Sequence, residues 1–423
     1  DNVSVRSHNS MIALSAQGAM GESDIVMTGN TDVRAGVFTS ESATGARPES
    51  IILATQPDPG TVPSTVTVAG NTLTASQSLQ VVGSITDVIL DDNVIVVGDA
   101  APTGDMMITS SQGALTLNGN DITFKSQLIA QVVDMAGATM TVTGNSLTNV
   151  TPTVGTVVLQ GPEGSCVVED NVVELDDPSD TDQQQFLLLC PTTAADGEMT
   201  VSGNTVTTTG HAASGFVGLS TGMQRVSYTD NGFTVGNLFN LGLAVDSFAF
   251  TGNTVSLSTT PVVLPGSDGA TYTVSDNTFT HHDPAGGLLL YGMTSALVTD
   301  NTFTATGTPG ADAVALNVLT GTGPMTVTAT GNTFTDYSRA LAFTDVAVTA
   351  HGFTAAINDN VFDFVIDAAP KVATLVNVKS TIDASNNQWG SNTSLATVES
   401  YVGKEGDTVT QGGEILLDPI TQP

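Results

Sequence analysis

Apolar and polar residues alternate with period two in short runs that recur along the chain. "STVTVAGNTLTAS" from Ser64, "TMTVTGNSLTN" from Thr139 and "EMTVSGNTVTTT" from Glu198 show the pattern. Each is interrupted once, by Gly-Asn. Such alternation reads as a half-buried strand, and the interruption as a turn. A third apolar run stands upstream in many repeats: "SIILAT", "TVVLQG", "FLLLC", "GLLLYG" and "AVALNVL". The pattern predicts three short strands in every repeat of about 25 residues, the layout of a parallel β-helix.

The turn is more repetitive than the strands. DNTFT stands at Asp276 and again at Asp300, and GNTFT follows at Gly331. An Asn that follows Gly, Asp or Asn and opens a short apolar strand occurs at Asn2, Asn30, Asn71, Asn93, Asn120, Asn145, Asn171, Asn204, Asn231, Asn253, Asn277, Asn301, Asn332, Asn360 and Asn387. Most intervals are 22 to 28 residues, with longer ones of 41, 33 and 31. The preceding residue is Gly seven times, Asp seven times and Asn once. Those residues best tolerate a left-handed backbone, so each repeat bends sharply with positive φ there or at the Asn itself. Successive coils of a β-helix lie about 4.8 Å apart, and equivalent residues stack. A stacked Asn can hydrogen-bond the Asn above and below, so the turn is held fixed while the strands drift. Fifteen rungs would make a rod on the order of 70 Å long.

Composition agrees with strands and turns. Only 12% of residues are charged and 5% aromatic, while 40% are apolar and mean hydropathy is +0.16, which excludes a disordered tail. Forty-two acidic residues oppose nine basic ones. Such a surface repels nucleic acid and anionic lipid and attracts cations, calcium above all; high ionic strength relieves its self-repulsion. No apolar run reaches the roughly 18 residues of a membrane span. Asp1 reads as the first residue of a processed chain, which with the two cysteines fits a secreted or surface protein.

The residues around each turn resemble those of the right-handed parallel β-helix superfamily, the pectin-lyase-like group. "IDASNNQWGS" from Ile382, followed by "VESYVG" and "ILLDPI", is similar to the closing segment common in secreted β-helix repeat proteins. The expected organisation is a β-helix over 1–390 and a C-terminal closing segment over 391–423.

The resemblance raises the question of a polysaccharide-degrading enzyme. Lyases of this fold pair an Arg or Lys base with a calcium-binding carboxylate cluster, whereas the basic residues here are scattered over many rungs. Hydrolases resembling polygalacturonases carry NTD, DD, GHG and RIK elements. Asn30-Thr31-Asp32 and Asp91-Asp92 spell the first two, but His211 precedes Ala212, Ala350 precedes His351-Gly352, and RIK is missing. The first two elements read better as parts of the repeat.

Other residues invite weaker readings. His281-His282-Asp283 reads as a solvated loop rather than a metal site or general base. Asp176, Asp177, Asp180 and Asp182 offer oxygen ligands for calcium in a flexible acidic segment. Cys166 and Cys190 would flank one loop column on neighbouring rungs, so a disulfide is geometrically reasonable, although two buried thiols fit as well. Sequons stand at Asn2, Asn149 and Asn392.

The expectation is a non-enzymatic extracellular structural protein: a rigid rod in a filament, sheath, layer or adhesin stalk. It has no catalytic residues and no cofactor, with calcium as a candidate ligand, and its expected partners are further copies of itself, head to tail, with glycans as a second candidate. A polysaccharide lyase or hydrolase, or its glycan-binding relic, is the first alternative; a phage tailspike is the second.

Overall fold

The computed structural model describes residues 4–7, 12–16, 25–30, 32–35, 50–55, 64–83, 86–98, 104–110, 113–133, 138–150, 155–161, 164–175, 185–190, 196–208, 215–219, 222–239, 246–257, 260–282, 286–308, 310, 313–346, 352–363, 372–391, 394–405 and 413–418. The chain forms an all-β parallel solenoid. It divides into two compact units, Asp1–Leu219 and Ser220–Pro423.

In the first unit each coil runs through a pre-bend strand, a two-residue bend, a post-bend strand and a third strand. One coil serves as the type: Ser64–Ala69, then Gly70-Asn71, then Thr72–Ala75, then Ser78–Gly83. Equivalent strands of successive coils pair in parallel without register drift. Leu73 stands opposite Ile95, Ile95 opposite Ile122, Ile122 opposite Leu147 and Leu147 opposite Val173. These five side chains face inward and are buried. The outward positions of these strands carry Thr, Ser, Val, Asp and Glu, so period-two alternation places one side of each strand in the core.

The second unit uses the same coil with a different filling. Its post-bend strands Thr278–His282, Thr302–Thr306, Thr333–Thr335, Val361–Asp363 and Gln388–Trp389 pair in that order. Phe279, Phe303, Phe334, Phe362 and Trp389 therefore fall in one inward column. Their rings stack nearly parallel, with centroids 4.5, 4.8, 5.0 and 4.5 Å apart and interplanar angles of 11° or less. Ring spacing matches strand spacing, so the stack forms without distorting the sheet. At the C-terminal side, Val402–Glu405 pairs with Ala373–Val376, and Glu414–Leu416 pairs with Thr381–Asp383. Both strands of the expected closing segment thus pair with strands of the same chain.

The bend explains the persistence of the motif. Positive φ falls on the residue before the ladder Asn at every described bend, from Gly29 at 66° to Asn386 at 59°. The Asn then takes ordinary backbone and turns its amide along the stack. In the second unit, Asn253 donates to Asn277 Oδ1 from its backbone N–H at 2.8 Å and from Nδ2 at 3.0 Å. Asn277 donates in the same two ways to Asn301 at 3.0 and 2.8 Å, and its Nδ2 also reaches the Phe250 carbonyl at 2.7 Å. The pattern repeats from Asn301 through Asn332 and Asn360 to Asn387. In the first unit it runs from Asn30 through Asn71, Asn93, Asn120, Asn145 and Asn171 to Asn204. From Asn71 to Asn387 all these asparagines are buried, and Asn30 is half-buried.

Replacing Asn277 by Leu removes the acceptor of two Asn253 donors and leaves the Phe250 carbonyl without its Nδ2 donor. Stability should fall by about 3 kcal/mol or more, since each stranded buried polar group costs roughly 1–3 kcal/mol. A urea midpoint unchanged from the parent would show that the ladder does not hold this unit together.

Candidate functional site

The bend column carries carboxylates as well as amides. Asp92, Asp170, Asp230 and Asp300 each precede a coil whose bend residue is Gly, and in each case the carboxylate lies over that glycine's Cα. An alanine Cβ at Gly119, Gly203, Gly252 or Gly331 would collide with the Asp below it. Gly144, by contrast, has only the Gly119 nitrogen nearby, at 3.9 Å. Asp91 accepts a hydrogen bond from Asn118 Nδ2 at 2.6 Å. Of the first two hydrolase elements, Asn30 and Asp92 thus occupy bend positions and Asp91 ends the pre-bend strand Thr86–Asp91, all three supporting neighbouring coils; Thr31 lies outside the described residues. His211 and His351 lie outside the described residues.

His281 departs from the sequence expectation. It sits not in a solvated loop but in the strand Thr278–His282, two residues after the inward Phe279, and is 0% exposed. Period-two alternation simply continues from Phe279 to His281. Its Nδ1 lies 2.8 Å from the Tyr337 hydroxyl, while Nε2 meets no hydrogen-bonding group among the described residues. Burial, and secondarily the neighbouring His282 charge, lowers the His281 pKa from the usual 6.5 to about 4. The ring is therefore neutral at physiological pH. Burial raises the Tyr337 pKa, so its phenol also stays protonated. His282 faces outward, with Nδ1 2.7 Å from Thr306 Oγ1 and Nε2 3.3 Å from Ser256 Oγ. It bridges hydroxyls of the two neighbouring coils. Asp283 lies outside the described residues.

Cys166 and Cys190 are joined in a disulfide, with their Cα atoms 6.5 Å apart. Cys166 lies in the pre-bend strand Ser165–Glu169, and Cys190 follows the third strand Gln185–Leu189. Gly161 stands one register position beyond Gln160, which pairs with Leu189. The Cys166 sulfur fills the place that a side chain on Gly161 would take. This glycine is needed for space rather than for backbone conformation.

One cleft opens on the outer face of the third sheet in the first unit, with a volume of about 410 Å³. Ser78, Asp105 and Gln127 line one side, and Gln80, Met107 and Ile129 the other. Asp105 Oδ1 is buried there without a hydrogen-bond partner among the described residues. The lining offers amides, one carboxylate and a thioether, a set suited to hydrogen-bonding a polar ligand beside an apolar contact. Its residues come from three coils and are brought together by register alone; the runs in which they stand gave no other signal.

The calcium candidates Asp176, Asp177, Asp180 and Asp182 lie outside the described residues, as do the sequons at Asn2 and Asn392. Asn149 is described and is 2% exposed, so its sequon is closed to glycosylation in the folded chain. No family model, curated protein or solved structure matches the chain.

Two measurements probe these sites. The folded His281 pKa lies below its unfolded value, so the unfolded chain binds more protons between about pH 4 and 6.5, and stability is lost as pH falls through that window. The loss should amount to on the order of 3 kcal/mol. His281→Leu should flatten that part of the stability–pH curve; an unaltered slope would place the acid sensitivity elsewhere. Gly203→Ala and Gly144→Ala share a φ of 64° and should each lose about 1–2 kcal/mol from it. Gly203→Ala should lose more, because it also displaces the Asp170 carboxylate. Equal midpoints for the two would mean that the carboxylate rotates away freely.

Proposed function

We propose that the chain is a non-enzymatic extracellular structural protein, a rigid β-helical rod serving in a surface filament, sheath, layer or adhesin stalk. The observation that carries this reading is the use made of chemically capable residues. Among the described residues, ladder Asn and bend Asp in both units, and His281 and His282 in the second, are committed to holding coils together. The outward strand positions are mostly Thr, Ser and small apolar residues, which suits a surface that keeps its shape and resists proteolysis. The disulfide supports an oxidising location. The turn chemistry and the Trp389-Gly390 close support kinship with the right-handed pectin-lyase-like β-helices, whose members include surface proteins as well as enzymes.

In this reading the partners are further copies of the chain, with head-to-tail contact through strand edges as one mode of assembly. Calcium is a candidate bridging ion for so acidic a surface. Incubation with pectate, alginate and hyaluronan-type polymers, with and without calcium, should release neither unsaturated nor reducing ends. Electron microscopy of native material should find rods in continuous arrays. Turnover abolished by a single Asp or Arg substitution would replace this reading with an enzymatic one.

A further inference from the structure

The outer faces of the three sheets in the first unit differ in charge. The pre-bend face carries Asp87, Asp91, Glu169 and Glu198, and the post-bend face carries Asp121 and Glu174. On the third sheet, Asp105 is the only charged side chain among the described outward residues. Register there aligns Met107, Ile129, Val158, Leu187 and Val217 in one outward column over five successive coils. Gln127, Thr156 and Gln185 flank it on one side, and Gln131 and Gln160 on the other. Among the described residues this sheet face is thus nearly neutral, in a chain of net charge −33, and it carries a central apolar stripe.

We propose that this face binds the same face of a second copy of the chain. Charge selects the occupant. A basic partner would be drawn to the acidic pre-bend and post-bend faces, where its charge is neutralised, and would gain little here. A partner carrying the same large negative charge is repelled from those faces and can approach closely only where the charge is missing. A second copy meets that description, and a two-fold axis pairs the stripe with itself. Parallel sheets pack face to face about 10 Å apart, close enough for the two stripes to exclude water while the flanking glutamines bond at the rim.

Size sets the strength. Eight strands of this sheet lie in the first unit; spaced about 4.8 Å apart, each with two or three outward residues, they give on the order of 500 Å² per copy. Two such faces bury about 1,000 Å², the lower limit for a specific interface, so association is weak and reversible. It is also salt-promoted, because the repulsion between the remaining surfaces acts over about 10 Å at 0.1 M salt and about 3 Å at 1 M. The inference is independent of the scaffold reading, since a glycan-cleaving chain with this face would dimerise in the same way.

Sedimentation equilibrium of the full chain at about 0.05 M and about 2 M sodium chloride tests the proposal. The expected result is a monomer at low salt and a two-copy species at high salt. Ile129→Lys with Leu187→Lys should raise the dimer dissociation constant more than about tenfold, because each lysine is trapped against apolar surface. Thr123→Lys with Thr148→Lys places equal charge on the post-bend face and should leave association unchanged or strengthened. Both positions face outward, so circular dichroism and the urea midpoint confirm that each variant folds. A parent monomeric at every salt concentration overturns the proposal, as does a face variant that associates like its parent. A failure there would leave the polysaccharide assays untouched, and turnover in those assays would leave the dimer untouched.

Discussion

A buried amide is tolerated only when its oxygen and both hydrogens are matched, and the coil is organised around meeting that demand. The ladder Asn offers an acceptor that takes two bonds from the coil before it and a donor group shared between the next Asn and a backbone carbonyl. Any slip of one residue would put the Gly or Asp of the bend, or the Thr or Val that opens the next strand, where the amide must be and strand several polar groups at once. The strands then need only present apolar side chains inward at the right pitch. Register is set at the corner, and the sheets inherit it.

The residue before the Asn meets a second demand, for left-handed backbone, and Gly and Asp satisfy it differently. Glycine does so without steric strain. Aspartate carries some strain, but its side chain covers the glycine of the following coil and fills space that would otherwise be solvent against bare backbone. Choices at neighbouring bends are thereby coupled across coils. The same logic governs Gly161, where a missing side chain makes room for the disulfide of its neighbours. Small residues in this chain mark places where something else comes close.

The ladder and the strand faces could be read directly in the amino-acid order because each is dictated by local chemistry: few residues adopt positive φ, and few patterns other than a strand alternate with period two. His281 was misplaced because two histidines followed by Asp resemble a polar loop, although the alternation from Phe279 already assigned the first of them to the core. Asn149 shows the reverse case, since a sequon says nothing about which way its Asn faces. The cleft beside Asp105 and the apolar column through Ile129 could not be read in advance. Each gathers residues 20 to 30 positions apart, and only the exact number of residues in every corner decides which of them meet.

The aromatic column has a consequence for how the molecule can be observed. Trp389 is the sole tryptophan, and it terminates the column of phenylalanines in the second unit. Its emission senses the packing of the last rings and little else, whereas the far-ultraviolet signal averages over every coil. In a solenoid whose coils contact only their neighbours, the ends can open before the middle. Fluorescence would then record loosening of the coils around Trp389 while other coils remain wound, and the gap between the two optical signals would measure how far cooperativity extends from that column.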